Sequence, residues 1–238
     1  MDDDLSRFLA RRPPTAAHPL LGLTVLLVED SRFASEAMRL LCLRSGARIR
    51  RADCLRSAHR HLQAYRPTAV IVDVGLPDGS GLDLIRELAA ATPRVPVLLG
   101  TSGDPDMAQA AKDAGAWGFL EKPVERLAVF QQAILSALPA DASPRMLALV
   151  TDEQVCPDPM ALRDDLALAA DLLGSSPDAD AISYVAHFLT GVARVAHDAT
   201  LATAAAGLAR PGGRPTDAGL RHVSGLVRER LSAGVGAL

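Results

Sequence analysis

Short apolar runs alternating with helical segments set the strongest limit on how this chain can fold. Runs at residues 23–28, 70–72, 95–100 and 117–120 are each closed by polar or turn residues. Runs of that length and composition read as strands buried on both faces. A shorter strand fits 48–52. Between them, apolar positions recur at helical spacing. One helix opens at the N-cap Ser31, carries Met38, Leu41 and Leu43, and stops near Ser45-Gly46. The next carries Leu55, Ala58, Leu62 and Tyr65 up to Pro67. Further helices are expected over 82–91, 106–114 and 124–138. Strand followed by helix, five times over, predicts a five-stranded, doubly wound parallel sheet with helices on both faces.

In such a sheet, ligands bind outside the carboxyl ends of the strands. Those ends carry Glu29 and Asp30, then Asp73, then Thr101, then Lys122. After Asp73 the turn residues Pro77, Asp78, Gly79 and Gly81 break the chain before the next helix. Three carboxylates in one crevice repel each other unless a cation is present. The set suits Mg²⁺, which takes a few carboxylates and keeps several waters. Lys122 can pair with a phosphate oxygen as a point charge, and Thr101 can donate to another. The expected chemistry is phosphoryl transfer run by positioning and charge neutralisation, with Asp73 as nucleophile.

The order Glu29-Asp30, then Asp73 followed by Leu76-Pro77-Asp78-Gly79, then Thr101, then Lys122-Pro123 resembles the receiver domain of two-component response regulators, over about residues 23–138. The resemblance implies a flavodoxin-like fold. It also implies that Asp73 accepts phosphate from a phosphohistidine on a sensor histidine kinase or histidine-phosphotransfer protein. Glu29, Asp30, Asp73 and the backbone carbonyl of Gly75 would then surround Mg²⁺, and Thr101 and Phe119 would move together as a switch. Such a chain is not an enzyme in the usual sense, since it acts only on its own phosphorylation state. Two positions depart from the family's usual residues: Ser102 follows Thr101, and Gly75 is smaller than usual, which would leave Asp73 more open to water. Trp117 has no assigned role. Seven arginines between positions 44 and 66 read as a solvated face, or else as a docking surface for an acidic partner.

The expected organisation is a tail over 1–22 (with a helical turn or two near 5–9), a receiver over 23–138, a linker over 139–157 and a small all-α helical bundle over 158–238. Asp158-Pro159 opens the first helix of that bundle and Leu173-Gly174 ends it. Ser176-Pro177 repeats the signal for a second helix running through His197. A third is expected over 199–210. Thr216-Asp217 opens the fourth, beyond the Pro211–Pro215 break. Within the second helix, Ala186-His187-Phe188-Leu189-Thr190-Gly191 resembles the motif of histidine-phosphotransfer domains, which have Lys where this chain has Thr190. His187 is therefore a candidate second phosphoacceptor, opposed by that substitution.

Residues 139–238 hold 8 basic and 12 acidic side chains, a balance of −4. That balance argues against a DNA-binding output, which needs a basic face. The leading expectation is a response regulator whose helical part meets a downstream protein partner or a second copy of itself. The alternatives are a relay intermediate passing phosphate through His187, and a DNA-binding regulator with an atypical output domain. No run approaches the ~18 apolar residues that would suggest a membrane span, and no signal-peptide pattern is visible. With three unpatterned cysteines, Cys42, Cys54 and Cys156, the reading is a cytoplasmic protein in a reducing compartment.

Overall fold

The computed structural model describes residues 13–138, 153–175, 178–208 and 216–233. Its first part runs β1 (Thr24–Val28), α1 (Arg32–Arg44), β2 (Arg48–Ala52), α2 (Leu55–Ala64), β3 (Ala69–Asp73), α3 (Gly81–Ala90), β4 (Val97–Ser102), α4 (Met107–Asp113), β5 (Gly118–Glu121) and α5 (Leu127–Ala137). The five strands form one parallel sheet in the order β2-β1-β3-β4-β5. The sheet is the doubly wound parallel arrangement that the alternation predicts, and the flavodoxin-like one that the resemblance implies.

Alternation along each strand feeds two cores. Val25, Leu27, Ile71 and Leu99 face α1 and α5, where Leu41, Phe130 and Ile134 meet them. Leu26, Val28, Val70, Val72 and Leu98 face the other side, against Leu84, Ile85 and Ala111 of α3 and α4. Both faces are covered, which is why the strands read as apolar runs rather than alternating ones.

Several expected boundaries shift. β4 starts at Val97, after Pro96, which has no amide hydrogen to give a ladder. α5 starts at Leu127 rather than 124, because the chain first leaves β5 through Lys122-Pro123. Gly75–Leu76 and Gly79–Ser80 form a small antiparallel hairpin, a feature the turn residues left open. The tail reading of 1–22 extends too far. Leu20 is fully buried in the α1/α5 core, and its amide donates to the Ser45 carbonyl. The linker reading of 139–157 also fails at 153–155. There the amide of Leu127 donates to the Glu153 carbonyl, Val155 donates to Glu125, and the Val155 side chain enters the core. The turns expected near 5–9 and the rest of that linker before 153 lie outside the described residues.

Among the described residues, the second part holds four helices: α6 (Pro159–Gly174), α7 (Ala179–Val195), α8 (Ala199–Leu208) and α9 (Asp217–Ala233). Asp158 caps α6 by accepting from the Met160 amide, with Pro159 at the first helical position. The cap of α7 is Asp178, which accepts from the Ala181 amide; the Ser176-Pro177 signal lies outside the described residues. α7 ends at Val195, and His197 beyond it has φ +54°, so the helix does not reach that residue. Leu189, Val185, Leu201, Ala205 and Val227 build a core of leucine, valine and alanine. α6 and α7 both pack on α1 of the sheet domain.

Candidate functional site

Each strand delivers its polar residue where the buried run ends. Glu29 follows β1, Asp73 closes β3, Thr101 lies in β4 directly beside Asp73, and Lys122 follows β5. A Cβ at Gly81 would overlap the Asp73 carbonyl oxygen, so only glycine lets α3 begin that close to the strand end. One oxygen from each of Glu29, Asp30 and Asp73 lies within 4.8 Å of the other two. Lys122 Nζ stands 2.6 Å from Asp73 Oδ2 and 2.7 Å from Glu29 Oε2, and all three side chains are buried. The sequence-predicted acidic group and its lysine thus come together.

The electrostatics are those of a site short of positive charge. Burial pushes the Glu29 carboxyl well above the ordinary range. Asp73 and Asp30 add to that, and Lys122 opposes it. Asp30 is pushed up to about 7, first by burial and then by Asp73, against the hydrogen bond it receives from Tyr184. Burial would depress the Lys122 ammonium, but Asp73 and Glu29 outweigh it and hold its pKa above the usual lysine value. Glu29 Oε2 is buried, faces Lys122 as an ion pair and accepts no hydrogen bond of proper geometry. An all-carboxylate set with such an oxygen fits a hard divalent cation.

Other predicted residues fall into place differently. Gly75 lies beside the cluster, and its amide donates to Asp73 Oδ1 at 3.3 Å. The Thr101 hydroxyl is fully buried and donates to the Leu120 carbonyl at 2.7 Å, so it faces the neighbouring strand rather than the cleft. Phe119 is half-buried against the α3/α4 core. Trp117 is exposed, with the Arg94 guanidinium 4.5 Å over its ring.

The helical part contributes to the same cleft. A cavity of about 170 Å³ is lined by Glu29, Asp30, Asp73 and Lys122, and from α7 by His187 and Gly191. A Cβ built on Gly75 would stand 3.7 Å from the His187 Cβ. Thr190 is buried and donates back to the Ala186 carbonyl, so it offers the cavity no donor. Two residues that sequence reasoning passed over also matter. The Tyr184 hydroxyl donates to Asp30 Oδ2 at 2.7 Å, and Asp165 of α6 is buried against the start of α1. Neither has a local signature, since their partners lie more than 130 positions away.

Residues 25–134 match the response regulator receiver domain family, and this part of the chain is a receiver domain of the two-component type. Among relatives, the chain is 32% identical over 99 residues to the KDP operon transcriptional regulatory protein KdpE of Escherichia coli, covering 42% of this chain and 44% of KdpE. It is 30% identical over 139 residues to the response regulator MprA of Mycolicibacterium vanbaalenii, covering 57% and 60%. The chain therefore spans about half the length of the curated relatives it matches. A solved structure of a putative response regulator from Chloroflexus aurantiacus shares 29% identity, covers 48% of this chain and 98% of its own, and superposes with a TM-score of 0.43. Among the described residues, no helix is long and apolar enough to cross a membrane.

Proposed function

We propose that this chain is a response regulator in which Asp73 is the phosphoacceptor. The observation that carries the reading is the packing of three carboxylates around one buried ammonium, with Lys122 bridging Asp73 and Glu29. Glu29, Asp30, Asp73 and the Gly75 carbonyl are the groups that would hold Mg²⁺. When bound, the ion supplies charge neutralisation for both the acceptor and the incoming phosphoryl group. An Asp73 oxygen attacks phosphorus, the P–N bond to a donor histidine breaks, and its electron pair returns to the imidazole nitrogen. Lys122 then shifts its contact from Asp73 to a phosphoryl oxygen. The Thr101 hydroxyl leaves the Leu120 carbonyl to donate to another, and Phe119 follows into the space vacated. The same residues govern loss of the phosphoryl group to water, so the chain acts only on itself. Its partners are a sensor histidine kinase or phosphotransfer protein upstream and a protein target downstream, in the cytoplasm. Homodimerisation is a further outcome of the switch.

A second reading has one observation in its favour. His187 lines the same cavity as Asp73, which is where a relay histidine would stand. Thr190, turned onto its own helix, gives that histidine no phosphate-binding cation. Acid-labile label that disappears in His187→Ala would establish the relay; its absence would remove it. Retention on random duplex DNA at low salt would revive a DNA-binding output.

A further inference from the structure

Helix α1 of the receiver has an unusual completion. Its N-cap Ser31 accepts from the Ala34 amide, leaving the amides of Arg32 and Phe33 without a partner from within the receiver. Asp165 of α6 supplies both. Its Oδ1 accepts from the Arg32 amide at 2.9 Å, and its Oδ2 from the Phe33 amide at 3.0 Å and the Ser31 hydroxyl at 2.7 Å. The carboxylate is 1% exposed. Such a buried charge persists only when every bond is made and the positive end of a helix faces it. Around it, Phe33 and Ala34 pack with Val195, and with Ala161, Leu162 and Ala196 at the rim. At the far side of the cleft, a Cβ on Gly103 would come within 3.1 Å of the Gly191 Cα, so the loop after β4 touches the backbone of α7. Tyr184 closes the set on Asp30.

We infer that the helical half occupies the receiver surface a phosphohistidine donor must use, with Asp165 as its anchor. The inference rests on Asp73 being the acceptor. The cavity left beneath α7 is about 170 Å³. It admits a small ion or a small phosphodonor, whereas a donor protein has to bring a histidine on its own fold and so must displace α7. The anchor is cooperative. Asp165 either keeps all three donors or returns to water, so the interface has a closed and an open state rather than a graded series.

The test uses the full chain and its Asp165→Ala variant. Amide hydrogen exchange at Arg32 and Phe33 is expected to be slow in the wild type and at least tenfold faster in the variant. Phosphoramidate with Mg²⁺ is expected to label both chains. A purified phosphorylated histidine kinase, chosen because it labels Asp165→Ala, is expected to transfer at least tenfold more slowly to the wild type. Equal transfer rates, or wild-type amides at Arg32 and Phe33 that exchange as freely as in the variant, overturn the proposal. If Asp165→Ala does not fold, Gly103→Leu, which wedges the loop from α7, serves in its place with the same expectations. Protected amides in a wild type that phosphoramidate does not label at Asp73 would leave the docking standing and defeat the acceptor reading instead.

Discussion

The receiver half and the helical half hold their acidic residues by different means. In the receiver, Glu29, Asp30 and Asp73 are crowded together by topology, because parallel strands must end on the same edge. Their mutual repulsion is tolerated because Lys122 stands among them. In the helical half, each notable aspartate has its own local or remote donors. Asp158 and Asp178 cap α6 and α7, Asp198 pairs with Arg230, and Asp165 reaches across to α1. One half concentrates charge in a single cleft; the other disperses it among helix caps, an ion pair and the contact with α1.

The largest expected effect breaks the crowded side of that comparison. Lys122→Ala leaves two buried carboxylates without their cation, and such a loss costs about 3–5 kcal/mol. Chemical denaturation followed by Trp117 fluorescence measures it, since the chain's one tryptophan lies in the receiver. Asp30→Asn has the opposite sign. It removes one of three repelling charges, and the metal-free receiver should gain on the order of 1–3 kcal/mol at pH 8. Mg²⁺ is expected to raise the melting temperature of the wild type, and the same variant should lose that rise. A metal-induced rise of full size in Asp30→Asn would contradict its place in the ion's set.

In the dispersed half the effects are smaller and independent. Asp158→Ala removes the cap of α6 and should cost about 1 kcal/mol, seen by far-ultraviolet circular dichroism with little change at Trp117. Arg230→Ala should cost about 0.5–1 kcal/mol, because its partner is partly exposed. The hydrogen bond from Arg230 lowers the Asp198 pKa, so the folded state holds that proton less tightly than the unfolded one. The contribution is present above the unfolded value of about 4 and fades as pH falls below it. Wild type and Arg230→Ala should therefore converge in stability as the pH falls below about 4. A gap that stays constant with pH would mean the arginine acts by packing alone.

The contrast also explains what the sequence revealed. The runs ending in Asp30, Asp73, Thr101 and Lys122 were legible because burial on both faces leaves a continuous apolar signature, and parallel topology then brings the ends together without further information. The direction of the Thr101 hydroxyl was not legible, since it depends on which neighbour accepts, and Leu120 is reached only in the folded sheet. Asp158-Pro159 announced a helix start because capping is local. Asp165 sits beside Asp164 on what reads as a solvated helix face. Only the docked start of α1 makes one of that pair buried while Asp164 meets Arg32 at the surface. Leu20 and Val155 were missed for a related reason: single apolar residues in irregular segments carry no period, yet both fill the core.

The most direct test of the central claim is labelling of the purified full chain by phosphoramidate with Mg²⁺, followed by mapping of the modified residue. The account predicts alkali-labile label on Asp73, lost in Asp73→Asn and lost when Mg²⁺ is chelated. Label that persists in Asp73→Asn, or that forms equally well without a divalent cation, would contradict it.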